Sequence, residues 1–387
     1  MSAGAGPGGP ILPGATLGIL GGGQLGRMTA MAARSLGYHV HALDPDPSCA
    51  ARYVVERCFT AAFDDAGAAE ELARTSSVVT VEIEKISLES MAAAARRAPV
   101  RPGAEVLRIV QDRARQKAWL RGHGFPLGPY REASTEAELA AALEALGTSC
   151  FVKTSFGGYD GGGQARAQGG AAAAETWKAL GGRPVVVERA LDIEAELSVL
   201  VARAPSGQVA IYPPALNHHE HRILSWSVIP GPLPEAVRSR AVEISAEIAR
   251  AVGAEGLLVV ELFLTRAGEL FVNELAPRPH NSFHATEVAC LTSQFEQAVR
   301  AVCDLPLGAT QVVRPAAIAN LLGDLWLGPH PPAFDRALAL PGVRLHLYGK
   351  RVPRPGRKMG HLSASGETPE DAVRRVMEAK ARLAPPS

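Results

Sequence analysis

Apolar runs with a period of two alternate along the chain with stretches that repeat every three to four residues, and their order predicts a layered α/β protein. TLGIL at 16–20 reads as a short buried strand. A helical pattern follows through Leu36 and is ended by Gly37, and 38–43 is a second strand closing on Asp44. Further strands are expected at 78–84, 150–154, 185–188 and 343–348, with a meander at 196–203 and 208–212. Helices are expected at 104–120, 135–146, 235–251 and 292–305. The strongest local signal lies at 256–284, where VVELFL and ELFVNEL flank the turn TRAG in a β-hairpin pattern. Breaks in the pattern divide the chain into a flexible tail at 1–15, a doubly wound unit at 16–115, and units at 116–192, 193–310 and 311–387.

Composition excludes more than it assigns. A formal net charge of +1 creates no global field toward nucleic acid or a membrane surface, so anion binding has to be local. Five cysteines without a C-x-x-C pair argue against a disulfide framework and a zinc site, and for a reducing compartment. No apolar run has the length of a bilayer span, and the opening MSAGAGPGGP lacks the regions of a signal peptide. A cytoplasmic location is expected, and the closing PPS is expected to fray.

Several stretches carry chemistry. GGGQLG at 21–26 is a full G-x-G-x-x-G, with Asp44 in the place of a ribose-binding acid, so by pattern alone it predicts a dinucleotide site. Physically it says only that bare amides at a helix N-terminus suit an anion. Glu82 and Glu84 sit at the C-terminal end of their strand, where open α/β sheets bind ligands. In the hairpin, Glu261 and Glu274 fall on opposed strands, where partners lie about 5 Å apart. Carboxylates that close repel unless a cation separates them. With Asn273 adjacent, they suit Mg²⁺ (or Mn²⁺) that keeps positions for water and phosphate oxygens. PRPHNS at 277–282 then places Arg278, His280 and Asn281 on a loop stiffened by prolines, which reads as an active site.

Lys153 ends a strand and precedes a flap made of Gly158, Tyr159, Asp160, Gly161, Gly162, Gly163 and Gln164. A lysine and bare amides suit a triphosphate, although a Walker A loop is absent. The strand edge at Glu188, Arg189, Ala190 and Leu191 offers backbone groups to adenine, and Glu196 an acceptor for ribose hydroxyls. Histidines 218, 219 and 221 lack the spacing of a metal site. Gln111, Asp112, Arg113 and Lys117 read as an exposed helix face. In GKRVPRPGRKMGH at 349–361, stiff prolines aim the charges one way, which suits a monoester phosphate; the aromatics that nucleic acid needs are missing.

The order GGGQLGRM, TVEIE, QDR, FVKT–GGYDGGGQ, VVVE–EL, NELAPRPHNS, TSQFEQ and RPGRKMGH resembles the 5-(carboxyamino)imidazole ribonucleotide synthetase family of ATP-grasp ligases, over residues 15 to 365. NELAPRPHNS together with RPGRKMGH is the specific part. The resemblance implies an α/β (α+β) ATP-grasp fold: a Rossmann-like N-terminal domain at 16–115, a nucleotide lid at 116–192, a catalytic subdomain at 193–310 and a C-terminal subdomain carrying the basic loop. It implies that ATP and bicarbonate carboxylate 5-aminoimidazole ribonucleotide by way of carboxyphosphate, in a homodimer. ATP phosphates would meet Arg113, Lys153, the flap and His219; adenine would lie along 188–191, with ribose on Glu196. Glu261 and Glu274 would hold the metal, beside Asn273, and Arg278, His280 and Asn281 would bind bicarbonate and then carboxyphosphate. The ribonucleotide would meet Gln24, Leu25, Glu82, Lys350, Arg357 and Lys358, with Asp160 or His280 accepting its proton. Three positions depart from the family: Gly162 replaces a basic residue, Leu216 a glutamate, and Phe283 a glycine, with the Phe283 ring expected to turn away and pack near Phe295. The rival readings are another ATP-grasp ligase, a nucleotide sensor on the same fold, and an NAD(P)-dependent oxidoreductase resting on the glycine turn and Asp44.

Overall fold

The computed structural model describes residues 9–147, 149–157 and 163–384. The N-terminal part is a parallel sheet in the order Arg57–Thr60, His39–Asp44, Thr16–Leu20, Val78–Val81. Helix Gln24–Ser35 follows the glycine turn, and Gly37, at φ +86°, reverses the chain as its position predicts. Packing begins before residue 16, contrary to the expectation of a loose tail. Ile11 is buried, its N–H donates to the Cys303 carbonyl at 2.8 Å, and the Tyr38 hydroxyl donates to the Ile11 carbonyl.

The single helix expected over 104–120 is two, Ala104–Val110 and Arg113–Gly122. Asp112 stands between them. Its Oδ1 accepts from the Arg115 N–H at 3.0 Å, capping the second helix, and from the Ser155 hydroxyl at 2.7 Å. The Asp112 cap is a local signal for the break, whereas its second partner, Ser155, lies far along the chain. A four-stranded antiparallel sheet follows, in the order Tyr130–Ala133, Val185–Arg189, Ser149–Thr154, Gln164–Gln168. Helix Glu136–Leu146 covers it, capped by Thr135 and ended by Gly147 in the left-handed conformation.

Among the described residues the main sheet has nine strands. Its path runs Leu270–Ala276, Gly256–Thr265, Ile193–Arg203, Ala215–Glu220, Ile223–Ile229, Ala316–Leu322, Lys358–Ser365, Val343–Leu347, and Val209–Ile211 adds to Ile193–Arg203. The expected hairpin and meander are both here. The segment after 310 therefore continues the hairpin's own sheet, and the basic stretch becomes strand from Lys358 onward. Helix Glu235–Ala251 lays Ala241, Ile244 and Ile248 on Val199, Val201, Leu258 and Val260, and Leu20, Val79 and Val81 of the parallel sheet join the same core. That shared core fixes the glycine turn against the hairpin. Among the described residues no helix is long and apolar enough to cross a membrane.

Candidate active site

One cavity of about 610 Å³ opens where the three sheets meet. Its walls bring together residues far apart in sequence: Gln24, Leu25 and Glu82; Arg113, Lys153 and Gln164; Glu188, Arg189, Leu191, Glu196 and His219; Glu261, Asn273 and Glu274; Arg278, His280 and Asn281; and Lys350, Arg357 and Lys358. Flap residues Gly158, Tyr159, Asp160, Gly161 and Gly162 lie outside the described residues. Ala190 is turned into the sheet: its N–H donates to the Ser149 carbonyl at 2.9 Å, and the Arg189 N–H to Pro129 at 3.0 Å. The strand edge thus does not offer those two amides to a base, which corrects that part of the sequence reading.

The glycine turn is also not what its pattern suggests. The N–H groups of Gly23 and Gly26 donate to the two Glu82 oxygens at 2.8 and 2.7 Å, and that of Gly22 to Asp44 Oδ2 at 2.8 Å. The anion cradled at this helix N-terminus is the protein's own. The glycines are required by that packing, because a Cβ at Gly21 would sit 2.3 Å from Glu82 Cγ and one at Gly23 2.4 Å from Oε1. Burial raises the Glu82 carboxyl to about 7 against the pull of the two amides. The Gly22, Gly23 and Gly26 amides are thus spent on side chains of the protein, and Asp44 faces the turn, so the oxidoreductase reading loses its supports.

In the hairpin, Glu261 and Glu274 are directly opposed in register, and a bulge follows Glu261. Asn273 Nδ2 donates to Glu261 Oε2 at 3.2 Å, and His280 Nε2 lies 3.1 Å from Glu261 Oε1. Burial would raise Glu261, but His280, His219 and Asn273 outweigh it and hold the carboxyl at about 2. Glu274 is sunk deep in the protein yet open to the cleft. Burial raises its carboxyl, Arg113 opposes the rise, and Glu261 adds to it. A deep carboxylate with an ionised neighbour and an open side fits a divalent cation. His219 Nδ1 lies 2.9 Å from Glu196 Oε2; burial lowers the imidazole, and Glu196 with Glu261 more than reverses that.

Three further groups complete the charge pattern. Glu188 Oε1 is 3.1 Å from Lys117 Nζ and Oε2 is 2.9 Å from Lys153 Nζ, so both lysines share one carboxylate. Burial acts to raise Glu188, but Lys153 and Lys117 overcome it and hold it at about 2. Lys117 is 4% exposed, not on an exposed face. The available signal was its spacing from Arg113, which puts both on one face of a helix. Arg278 Nε lies 2.8 Å from Glu84 Oε1, a carboxylate otherwise without a role. Gln294, part of the TSQFEQ motif, has a role that the sequence reading does not assign. Its Oε1 accepts from the His280 N–H at 2.8 Å and its Nε2 donates to the His280 carbonyl at 2.9 Å, clamping the loop from behind.

Asn281 is 9% exposed, and neither its Oδ1 nor its Nδ2 has a partner. A buried amide left that way costs stability unless a ligand completes it. Phe283 is fully buried and points away from the cavity as expected, but its partner is Tyr212, edge to face at 6.2 Å, while Phe295 packs with Leu25, Met28 and Tyr348. Leu216 lies against the cluster of Val228 and Ala317. Gly162 lies outside the described residues.

Comparison with known proteins gives the same outline. Residues 14–111 match the ribonucleotide synthetase preATP-grasp domain, 118–295 the ATP-grasp domain, and 316–375 the phosphoribosylaminoimidazole carboxylase C-terminal domain. The N5-carboxyaminoimidazole ribonucleotide synthase of Bacillus subtilis (strain 168) is 38% identical over 362 residues, 93% of this chain and 94% of that protein. An N5-carboxyaminoimidazole ribonucleotide synthetase solved as its ADP complex superposes with a TM-score of 0.91 at 37% identity, covering 96% of this chain and 97% of that one. The Aspergillus clavatus synthase, solved with ADP and 5-aminoimidazole ribonucleotide, superposes at 0.87 with 30% identity, covering 95% and 98%. The fold is the ATP-grasp fold with its preceding Rossmann-like domain.

Proposed function

The chain belongs to the N5-carboxyaminoimidazole ribonucleotide synthases, ATP-grasp ligases that carboxylate 5-aminoimidazole ribonucleotide in purine biosynthesis, and we propose that it activates bicarbonate as carboxyphosphate against Arg278 and Asn281. The observation that carries this reading is the unpartnered Asn281 amide. It offers the N–H donors of Nδ2 and the acceptor Oδ1, and bicarbonate presents both an O–H and acceptor oxygens.

A bicarbonate oxygen attacks the γ-phosphorus of ATP, the bond to the ADP oxygen breaks, and carboxyphosphate forms. Chemistry of this kind rests on positioning and charge neutralisation. Lys153 and Arg113 line the cavity and would hold phosphate oxygens, His219 and Glu196, paired with each other, would face the nucleotide, and Arg278 would stabilise the anion while Glu84 holds its guanidinium. Glu261 and Glu274 would hold Mg²⁺, which supplies positive charge to the phosphates. The exocyclic amine of the ribonucleotide then attacks the carboxyl carbon, phosphate leaves, and the amine gives up a proton. His280 is an orienting group in this scheme. Its Nε2 faces Glu261 and its Nδ1 lies 2.8 Å from Ser282 Oγ, so both ring nitrogens are engaged; of the two candidate proton acceptors this favours Asp160, which lies outside the described residues. Lys350, Arg357 and Lys358 take the ribonucleotide phosphate, with Gln24 and Leu25 beside it. A homodimer in the cytoplasm is part of the same reading; the cysteines are free thiols, and light scattering tests the dimer.

The test is ADP release. With bicarbonate present, 5-aminoimidazole ribonucleotide should strongly stimulate it, and Asn281→Ala should raise the bicarbonate KM about tenfold or more, the loss of about 1.4 kcal/mol of hydrogen bonding, with the ATP KM little changed. Absence of stimulation by the ribonucleotide sinks the substrate assignment. An unchanged bicarbonate KM sinks the placement at Asn281.

A further inference from the structure

Behind the active-site loop, at the junction of the N-terminal unit, that loop and the last sheet strands, lies a second group of metal-ligating side chains that the reaction does not use. We propose that Glu287, His346 and His361 form a binding site for a divalent transition-metal ion, with Zn²⁺ the ion to test. His346 and His361 are directly opposed across Val343–Leu347 and Lys358–Ser365, with ring centroids 5.1 Å apart. Glu287, on the short helix Thr286–Ala289, brings Oε2 to 3.4 Å from His346 Nδ1. The potential ligand atoms of the three all lie within 4.8 Å of one another.

The second observation is the state of His361. It is 1% exposed, its Nδ1 lies 2.8 Å from the hydroxyl of Tyr348, and its Nε2 is buried with no partner. Either tautomer leaves Nε2 unsatisfied. If Nδ1–H donates to Tyr348, Nε2 is a bare lone pair without a donor; if Tyr348 donates, Nε2–H lacks an acceptor. A metal ion on Nε2 resolves this by fixing the first tautomer, and Tyr348 then plays the orienting part that a hydrogen-bonded neighbour plays for metal-bound histidines. His284, stacked on His361 at 4.7 Å, is excluded as a ligand by its own hydrogen bonding. Gln294 Nε2 is fixed as a donor by the His280 carbonyl and also donates to His284 Nδ1 at 2.9 Å, so the His284 proton sits on Nε2.

Two imidazoles and one carboxylate are a ligand set that suits zinc with positions open to water. A cavity of about 260 Å³, walled by Glu287, His346 and helix residues Met28 and Met31, lies against the cluster and admits that water. Zinc ligands lie about 2.0–2.2 Å from the ion, so the side chains have to close by about 1 Å. Glu287 and His346 are partly exposed and free to make that movement. The absence of a cysteine pair in the sequence does not bear on this site, because its ligands come from three separate segments. Bound metal would tie the end of the active-site loop to the strands on either side of the basic loop.

The test uses the full-length, untagged protein carrying Glu274→Gln, so that the hairpin carboxylates do not compete, stripped with a chelator and titrated with Zn²⁺ against a chromophoric chelator. One Zn²⁺ per chain is expected. His346→Ala and Glu287→Gln, placed in that background, should each weaken binding at least tenfold while circular dichroism shows the fold retained. Co²⁺ should give the visible absorption of a nitrogen- and oxygen-ligated site, lost in the same variants. No stoichiometric binding to the parent, or binding that both variants leave unchanged, overturns the proposal.

Discussion

The two ends of the cleft handle charge in opposite ways. At the hairpin end, acidic and basic groups are matched inside the protein: Glu188 with Lys117 and Lys153, Glu84 with Arg278, Glu261 with His280. At the basic-loop end, cations lean on backbone carbonyls. Lys350 Nζ donates to the Lys358 carbonyl at 2.9 Å and Arg357 Nη1 to the Val352 carbonyl at 2.7 Å. Burial explains the difference. Charges enclosed by protein have to be paired before a ligand arrives, whereas side chains on a loop near solvent stay hydrated and can exchange water for a phosphate.

The sharpest way to break this contrast is Glu188→Gln. It leaves two lysines facing each other, one of them buried, and should cost about 3–5 kcal/mol of stability at pH 7. The pH dependence has a definite sign. The folded carboxyl, held at about 2, lies below its unfolded value, so its contribution is complete above the ordinary glutamate range and fades as pH falls toward 2. Denaturant titrations of the two proteins should therefore converge on acidification; a constant gap would show that packing, and not charge, makes the difference.

Glu274→Gln should leave the fold intact, because this carboxylate is open to the cleft, and lower turnover by at least about 100-fold. Near-normal turnover at saturating Mg²⁺ would remove the metal assignment. At the other end, Lys350→Ala and Arg357→Ala should barely alter thermal stability and should raise the KM for the ribonucleotide by the equivalent of about 1.5–3 kcal/mol each. Should the ATP KM rise instead, the basic loop belongs with the nucleotide and the two ends of the cleft exchange roles.

Most of what is local was legible in the residues. The hairpin, its opposed glutamates and the helix 235–251 appear where alternation and period predict them, since each depends on neighbours in sequence. The motif order points to the family because those motifs occur together in one chain in that order, where each alone is loose. Elsewhere the tertiary structure decided. The glycine turn looks like a cofactor loop until Glu82, 59 positions from Gly23, fills it. Asp112, which caps the second half of the stretch 104–120, is also held by the distant Ser155, and the buried Lys117 is paired with Glu188 from the antiparallel sheet. Phe283 faces Tyr212 and not Phe295, a choice between two apolar clusters that only three-dimensional packing can make. Local pattern specifies which face of an element is apolar or charged. Which partner meets that face depends on chain reversals far away, so a group's solvation, and with it its charge state and its role, is settled only when the sheets come together.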